Sequence, residues 1–252
     1  FLIWGSDEVP VYDSKIGNES VYNYTVGTSG SSISLPVSGS DIDACIDSVS
    51  GPNIPSSGNV VSSGDYNGDR DLDGHTFDTS GGEISWSTPT SSPDVTVQSD
   101  PVRFDTSGGR VEIYIPGNFE IDDTGTGPDV FINGSNPVYI FAESVTLDDN
   151  FEINIEDKNT ELLQIYSADA SGIEVDGEYK GTIYAPDTSI EIDSEFHGAA
   201  IANDAGGLTE PVEVTSSGEY YHDAALRQAQ LPDCINPPLS RFNAAERLVE
   251  LR

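Results

Sequence analysis

Residues 165–181, IYSADASGIEVDGEYKG, can be laid directly over residues 183–198, IYAPDTSIEIDSEFHG. Both read Ile-Tyr, a polar turn, Ile-Glu-Val or Ile-Glu-Ile with Asp, then Glu and an aromatic residue, then Lys or His and Gly. Ile165, Ile183 and Ile201 follow at steps of eighteen, and a third unit, IANDAGGLTEPVEVTSSGEYY (201–221), repeats the plan with an inserted loop. Apolar and acidic residues alternate within each unit, as in strands buried on one side and wet on the other. Upstream the unit lengthens: FDTSGG occurs at residues 77–82 and again at 104–109, twenty-seven residues apart. Short β-branched and aromatic runs such as VEIYI, DVFI, VYIFA and LLQIY, separated by Gly, Asp, Asn and Ser, fill the stretch from about residue 100 to Tyr221.

Units of 17 to 27 residues, each holding two or three short strands, predict a stacked β-solenoid. A single coil cannot bury its own apolar side, so neighbours stack and share one core. An antiparallel sandwich also gives short strands and frequent turns, but it has no reason to repeat at a near-constant step. The expected fold is therefore all-β: a parallel β-helix-like solenoid over residues 65–222, a β-rich segment and linker over 1–64, and a short helical cap and arginine-bearing tail over 223–252. Within 1–64, ESVYNYTV and SSISLPV read as strands, and residues 50–64 as a linker or a loose first coil. In the tail, residues 222–229 and RFNAAERLVELR suit two short helices. FDTSGG then reads as one corner used on two coils, with Phe77 and Phe104 in the core and Gly81-Gly82 or Gly108-Gly109 turning the chain at positive φ.

The chain of 252 residues carries 44 acids against 10 bases, a formal charge of -34. Such a surface repels phosphate backbones, which excludes nucleic-acid binding by charge attraction. Self-repulsion on this scale is screened in brine, where the Debye length falls to about 3 Å at 1 M salt. A halophilic setting is the primary expectation and a calcium-rich one the other. The acids crowd into residues 1–222, whereas 223–252 hold four acids and four arginines, so Arg241 and Arg247 are candidates to dock on an acidic body. An ordinary terminal helix accounts for them equally well.

The chain contains no methionine and opens FLIWGSDEVP, which is read as a processed start. Phe1, Leu2, Ile3 and Trp4 are too few to span a bilayer, which needs about 20 residues. They are either the remnant of a membrane anchor lost by processing, a locally packed terminus, or a strand that seeks an apolar groove in a neighbour. Cys45 and Cys234 pair as one long-range disulfide if the protein is exported, or stay as two free thiols. Sequons stand at Asn18, Asn23 and Asn133; with fourteen asparagines in a Ser/Thr-rich chain they permit glycosylation without arguing for it.

Residues 181–226, with GTIYAPDTSIEIDSEFHGAAIAN followed by SGEYYHDAAL, resemble the choice-of-anchor-A-type domains and an uncharacterised β-solenoid domain of haloarchaeal surface and pilus-associated proteins. Tyr184, Ala185, Pro186, Phe196, Gly198, Ala199, His222, Asp223, Ala225 and Leu226 carry the resemblance. The aromatic residue that the family places between His and Asp stands before the His here. The resemblance implies an exported surface or appendage role and no established chemistry.

The stretch GDYNGDRDLDGHTFD (64–78) alternates Asp65, Asn67, Asp69, Asp71 and Asp73 in the manner of calcium-ligating oxygens. Arg70 and Thr76 stand where an EF-hand wants Gly and Glu, so the competing reading is a solvated acidic turn. No other cofactor is expected. His75, His197 and His222 show no metal spacing, and pairs such as Asp122-Asp123 and Asp148-Asp149 are expected by chance in so acidic a chain. The functional expectation is a non-enzymatic subunit of an extracellular filament or surface appendage, with itself as partner through strand donation. The alternatives are a monomeric adhesin with Trp86, Tyr220 or Tyr221 stacking on surface glycans, and, third, a polysaccharide-active solenoid enzyme.

Overall fold

The computed structural model describes residues 37–48, 60–62, 64–67, 72–88, 94–123, 125, 127–148, 150–155, 159–169, 171–202, 212–222 and 232–235. Its body is the expected solenoid, and every strand pairing in it is parallel. The chain winds through three faces, here A, B and C. Face A stacks Val60–Ser62, Thr76–Asp78, Val102–Thr106, Val130–Gly134 and Ile153–Ile155. A bridge between Glu152 and Glu178 extends it to the first residues of Tyr179–Ala185 and Glu195–Ala202, and then to Glu219–His222.

Face B stacks Gly64–Asn67, Ile84–Ser87, the first halves of Val111–Ile121 and Val138–Leu147, Leu163–Ser167, and the second halves of Tyr179–Ala185 and Glu195–Ala202. Face C runs from Val95–Val97 through the second halves of the two long strands to Ile173–Val175, Ile190–Ile192 and Val212–Val214. The long strands turn from B to C at a register shift between Ile115 and Asn118.

Strand alternation sends one set of residues inward, and stacking makes each set a column. Phe77, Phe104 and Ile132 align on face A; Trp86, Ile113, Ile140, Ile165, Ile183 and Ala200 on face B; Val97, Ile121, Leu147, Val175, Ile192 and Val214 on face C. Phe77 stacks on Phe104 with ring centroids 5.0 Å apart and meets Trp86 edge-on. The step from the third unit differs from the one read in the sequence. Ile201 pairs with Tyr184 and not with Ile183, because Tyr179 over Phe196 and Gly181 over Gly198 fix the register, and the later coil is one residue shorter.

The FDTSGG repeat is one corner between faces A and B, stacked twice. Asp78 accepts from the Ser80 N–H and Asp105 from the Ser107 N–H, each bending its own chain. Thr79 joins the two coils: its hydroxyl donates to the Asp105 carbonyl at 2.9 Å and accepts from the N–H groups of Gly108 and Gly109. The glycines serve two needs. Gly82 has φ +127, whereas Gly108 is required by closeness, since a Cβ there would stand 2.0 Å from the Thr79 carbonyl oxygen.

Residues 37–48 depart from the strand reading of the N-terminal part. They form a helix, Gly39–Asp47, capped by Ser38, whose hydroxyl accepts from the Asp41 N–H while the Asp41 carboxylate accepts from the Ser38 N–H. Ile42, Cys45 and Ile46 form its buried face. The strands expected in ESVYNYTV and through most of SSISLPV, and the helix expected over 241–252, lie outside the described residues; of the helix expected over 222–229 only His222 is described, and it ends the strand Glu219–His222.

Candidate functional site

Outward positions are columns too, and one of those on face B is aromatic. Tyr114, Phe141, Tyr166 and Tyr184 stack with centroid separations of 5.0, 5.1 and 5.9 Å. An outward aromatic ladder would be costly in water, and here it is roofed by the helix. Val37, Ile42, Cys45, Ile46 and Ile235 pack with the ladder and with Tyr139 into a second apolar cluster outside the solenoid.

Two hydrogen bonds and a disulfide hold the roof in place. Asp187, in the turn after face B, accepts from the Gly39 N–H at 3.0 Å, placing a carboxylate at the positive end of the helix dipole. The Tyr184 hydroxyl donates to the Val37 carbonyl at 2.8 Å, and burial raises the pKa of that hydroxyl. Cys45 is disulfide-bonded to Cys234 in the short turn Asp233–Ile235, as the exported alternative expects. The bond ties together two residues 189 positions apart.

Faces A and C carry ionic columns. On face C, Glu174, Glu191 and Glu213 stand in register. Burial first, and then Asp193, Glu174 and Glu213, raise the pKa of Glu191. Toward the C-terminal end of face A, Lys180, His197 and Tyr221 align, and each bonds the glutamate two residues before it: Glu178, Glu195 and Glu219. His197 also stacks on the Tyr221 ring at 4.5 Å.

The residues singled out in the sequence are distributed unevenly over this framework. Asp65 and Asn67 lie on the edge strand Gly64–Asn67, while Asp69 and Asp71 lie outside the described residues. Asp73 is engaged in the fold: one carboxylate oxygen accepts from the N–H groups of Gln98 and Ser99 in the next coil. Among the described residues no group of three or more His, Cys, Asp and Glu side chains is placed to hold a metal ion. Phe1, Leu2, Ile3, Trp4, Asn18, Asn23, Arg241 and Arg247 lie outside the described residues, and Asn133 is exposed on face A. Trp86 does not offer a surface ring for sugars; it is 2 % exposed and fills the core, because the alternation of Ile84–Ser87 turns it inward. Tyr220 faces inward against Phe196, and burial pushes its hydroxyl up to about 12. Asp122 and Asp123 accept from the N–H groups of Asp123 and Gly125, so this pair shapes its own turn.

Sequence reasoning missed the roof, although its signals are present. Ser38 with Asp41 is a capping pair, and Ile42, Cys45 and Ile46 have the i, i+3, i+4 spacing of one helical face.

Residues 91–229, more than half of the chain, match a family described as a domain of unknown function (DUF7305). The chain belongs to that family. The DUF7305 match begins just before Val95–Val97 and runs past Glu219–His222, so it covers most of the solenoid. The roofing helix and both cysteines fall outside it. No curated protein and no solved structure matches the chain.

Proposed function

We propose that this protein is a structural subunit of an extracellular filament or surface appendage in a salt-rich environment, built by joining solenoids end to end. The observation that carries this reading is the state of the terminal coils. Among the described strands, Val60–Ser62 and Gly64–Asn67 at one end, and Val212–Val214 and Glu219–His222 at the other, are each paired on one side. At the C-terminal end the inward columns finish with Val214 and Tyr220, which pack on the core yet are partly exposed, unlike their counterparts one coil earlier. Such an end offers backbone donors and acceptors for a further parallel strand, together with an apolar seat for its inward side chains.

The apolar start Phe1, Leu2, Ile3 and Trp4 of a second copy is the proposed donor. Arg241 and Arg247 supply positive charge that an acidic neighbour would attract. The surface supports the salt-rich setting: carboxylates laddered at strand spacing, about 4.8 Å, repel one another, and abundant counter-ions relieve that repulsion. The test is sedimentation velocity in concentrated salt on the full chain and on a chain lacking residues 1–5. The full chain is expected to form long polymers and the truncated one to remain monomeric. Equal behaviour of the two would overturn the donor-strand mechanism.

A further inference from the structure

We propose that Asn133 carries an N-linked glycan whose first sugar packs against the ring of Phe131. Asn133, Gly134 and Ser135 form a sequon that the fold places on the outer side of face A. In Val130–Gly134 the residues Val130 and Ile132 are buried in the core, so Phe131 and Asn133 point outward together. Asn133 and Ser135 are both exposed.

The column to which Asn133 belongs shows why its side chain is available. It continues the stack of Asp78 and Asp105. In those two coils the carboxylate is used up in closing the corner, by accepting from the N–H two residues on. The third corner is closed by other means. Gly134 takes φ +119, and the Asn136 amide donates to the Thr106 carbonyl at 2.6 Å. The Asn133 carbonyl accepts from the Thr106 hydroxyl, whereas among the described residues nothing bonds its side-chain amide. A substituent on that amide therefore leaves the ladder intact.

Phe131 supplies a second feature. It stands two residues from Asn133 on the same side of the strand, about 7 Å away along it, within reach of the first sugar of an attached chain. The ring is half-buried, and the Arg103 guanidinium lies 4.0 Å from its centroid over one face, so the sugar would meet the ring's other face or its edge. The apolar C–H face of a pyranose packs on such a ring with few side-chain rotamers left to freeze. In the modification, the Asn133 amide nitrogen bonds to the anomeric carbon of a lipid-phosphate-linked oligosaccharide. The bond from that carbon to the phosphate oxygen breaks, the lipid phosphate leaves with the electron pair, and the amide loses one proton. The inference rests on the extracellular half of the proposed function, because the donor lipid is met during export.

The experiment is peptide mass spectrometry on the protein purified from its own cells, with the disulfide mapped in the same digest. Cleavage after Arg110 and Lys158 gives residues 111–158, in which Asn133 is the one sequon. A sugar-bearing mass on that peptide, localised to Asn133, is the expected result. An unmodified peptide alongside an intact Cys45–Cys234 bond overturns the glycan and leaves export standing; an unmodified peptide with two free thiols overturns both. For the packing, the Asn133→Gln change made in the same cells lowers Tm when Phe131 is present and leaves Tm unchanged in a Phe131→Ala background. Equal losses in the two backgrounds would overturn the contact with the ring.

Discussion

Replacing Gly198 by Ala is expected to dismantle the C-terminal coils. Gly198 sits where Glu195–Ala202 bends from face A to face B, with φ +142, directly over Gly181 with φ +147. An added Cβ would lie 1.7 Å from the Gly181 carbonyl oxygen and 2.8 Å from its carbon. Both obstacles are backbone, so no side-chain rotation relieves them. The positive φ alone costs about 1–3 kcal/mol for a residue with a Cβ. Restoring contact distance also requires the two strands to separate by more than an ångström. That weakens several ladder hydrogen bonds worth about 1 kcal/mol each and loosens the stacking of Tyr179 on Phe196, whose centroids are 4.9 Å apart. The sum is at least about 4 kcal/mol, a large part of the roughly 5–15 kcal/mol that holds a domain folded. Gly125→Ala is the control: φ is +70 and a Cβ would meet nothing within 4 Å, so only the backbone term of about 1–2 kcal/mol applies. Equilibrium denaturant unfolding in concentrated salt measures both. A Gly198→Ala protein within about 1 kcal/mol of Gly125→Ala would refute the close approach of the coils.

Further outcomes follow from the roof, the core and the surface. Converting both cysteines to serine opens a loop spanning 189 positions, for which chain entropy predicts a loss of about 5 kcal/mol, read as a drop in denaturation midpoint. Ile42→Ala, which empties the centre of the second cluster, is expected to cost about 2–4 kcal/mol and to speed proteolysis near the helix, leaving the far-ultraviolet strand signal intact. Glu191 and Glu120 have pKa values raised first by burial and then by neighbouring carboxylates, so the folded state binds protons more tightly than the unfolded chain. Their contribution to stability is fully present below the unfolded carboxylate pKa and is lost as pH rises through the folded one. Melting temperature in low salt should therefore rise as pH is lowered from neutrality toward the carboxylate range; molar salt should shrink the part of the gain that comes from neighbouring carboxylates and leave the part that comes from burial, and a fall on acidification would contradict the ladder.

How much of this could be read from the chain differs from element to element. The solenoid was legible because its columns impose a period: residues 165–181 and 183–198 are similar because Gly181 must lie over Gly198 and Tyr179 over Phe196. The eighteen-residue step to Ile201 was misread because isoleucine occurs both inward and outward on these strands, and identity of residue type does not fix the face. Trp86 illustrates the same limit, since a four-residue strand gives too little alternation to show which side is buried. The roof was overlooked for a different reason. Its helix is short, and the ladder it covers becomes a single surface only when four coils bring Tyr114, Phe141, Tyr166 and Tyr184 together. The disulfide was anticipated as one of two alternatives from two cysteines alone, without a hint of what it fastens.

Polymer formation by this chain is the deciding property. Negative-stain electron microscopy of the protein purified from its source in concentrated salt, with and without chelator, answers that directly. Regular fibres are expected; loss of the fibres with chelator would add a structural role for the acidic stretch from Asp65 to Asp73. Dispersed single particles in both samples would contradict assembly of this chain into a filament.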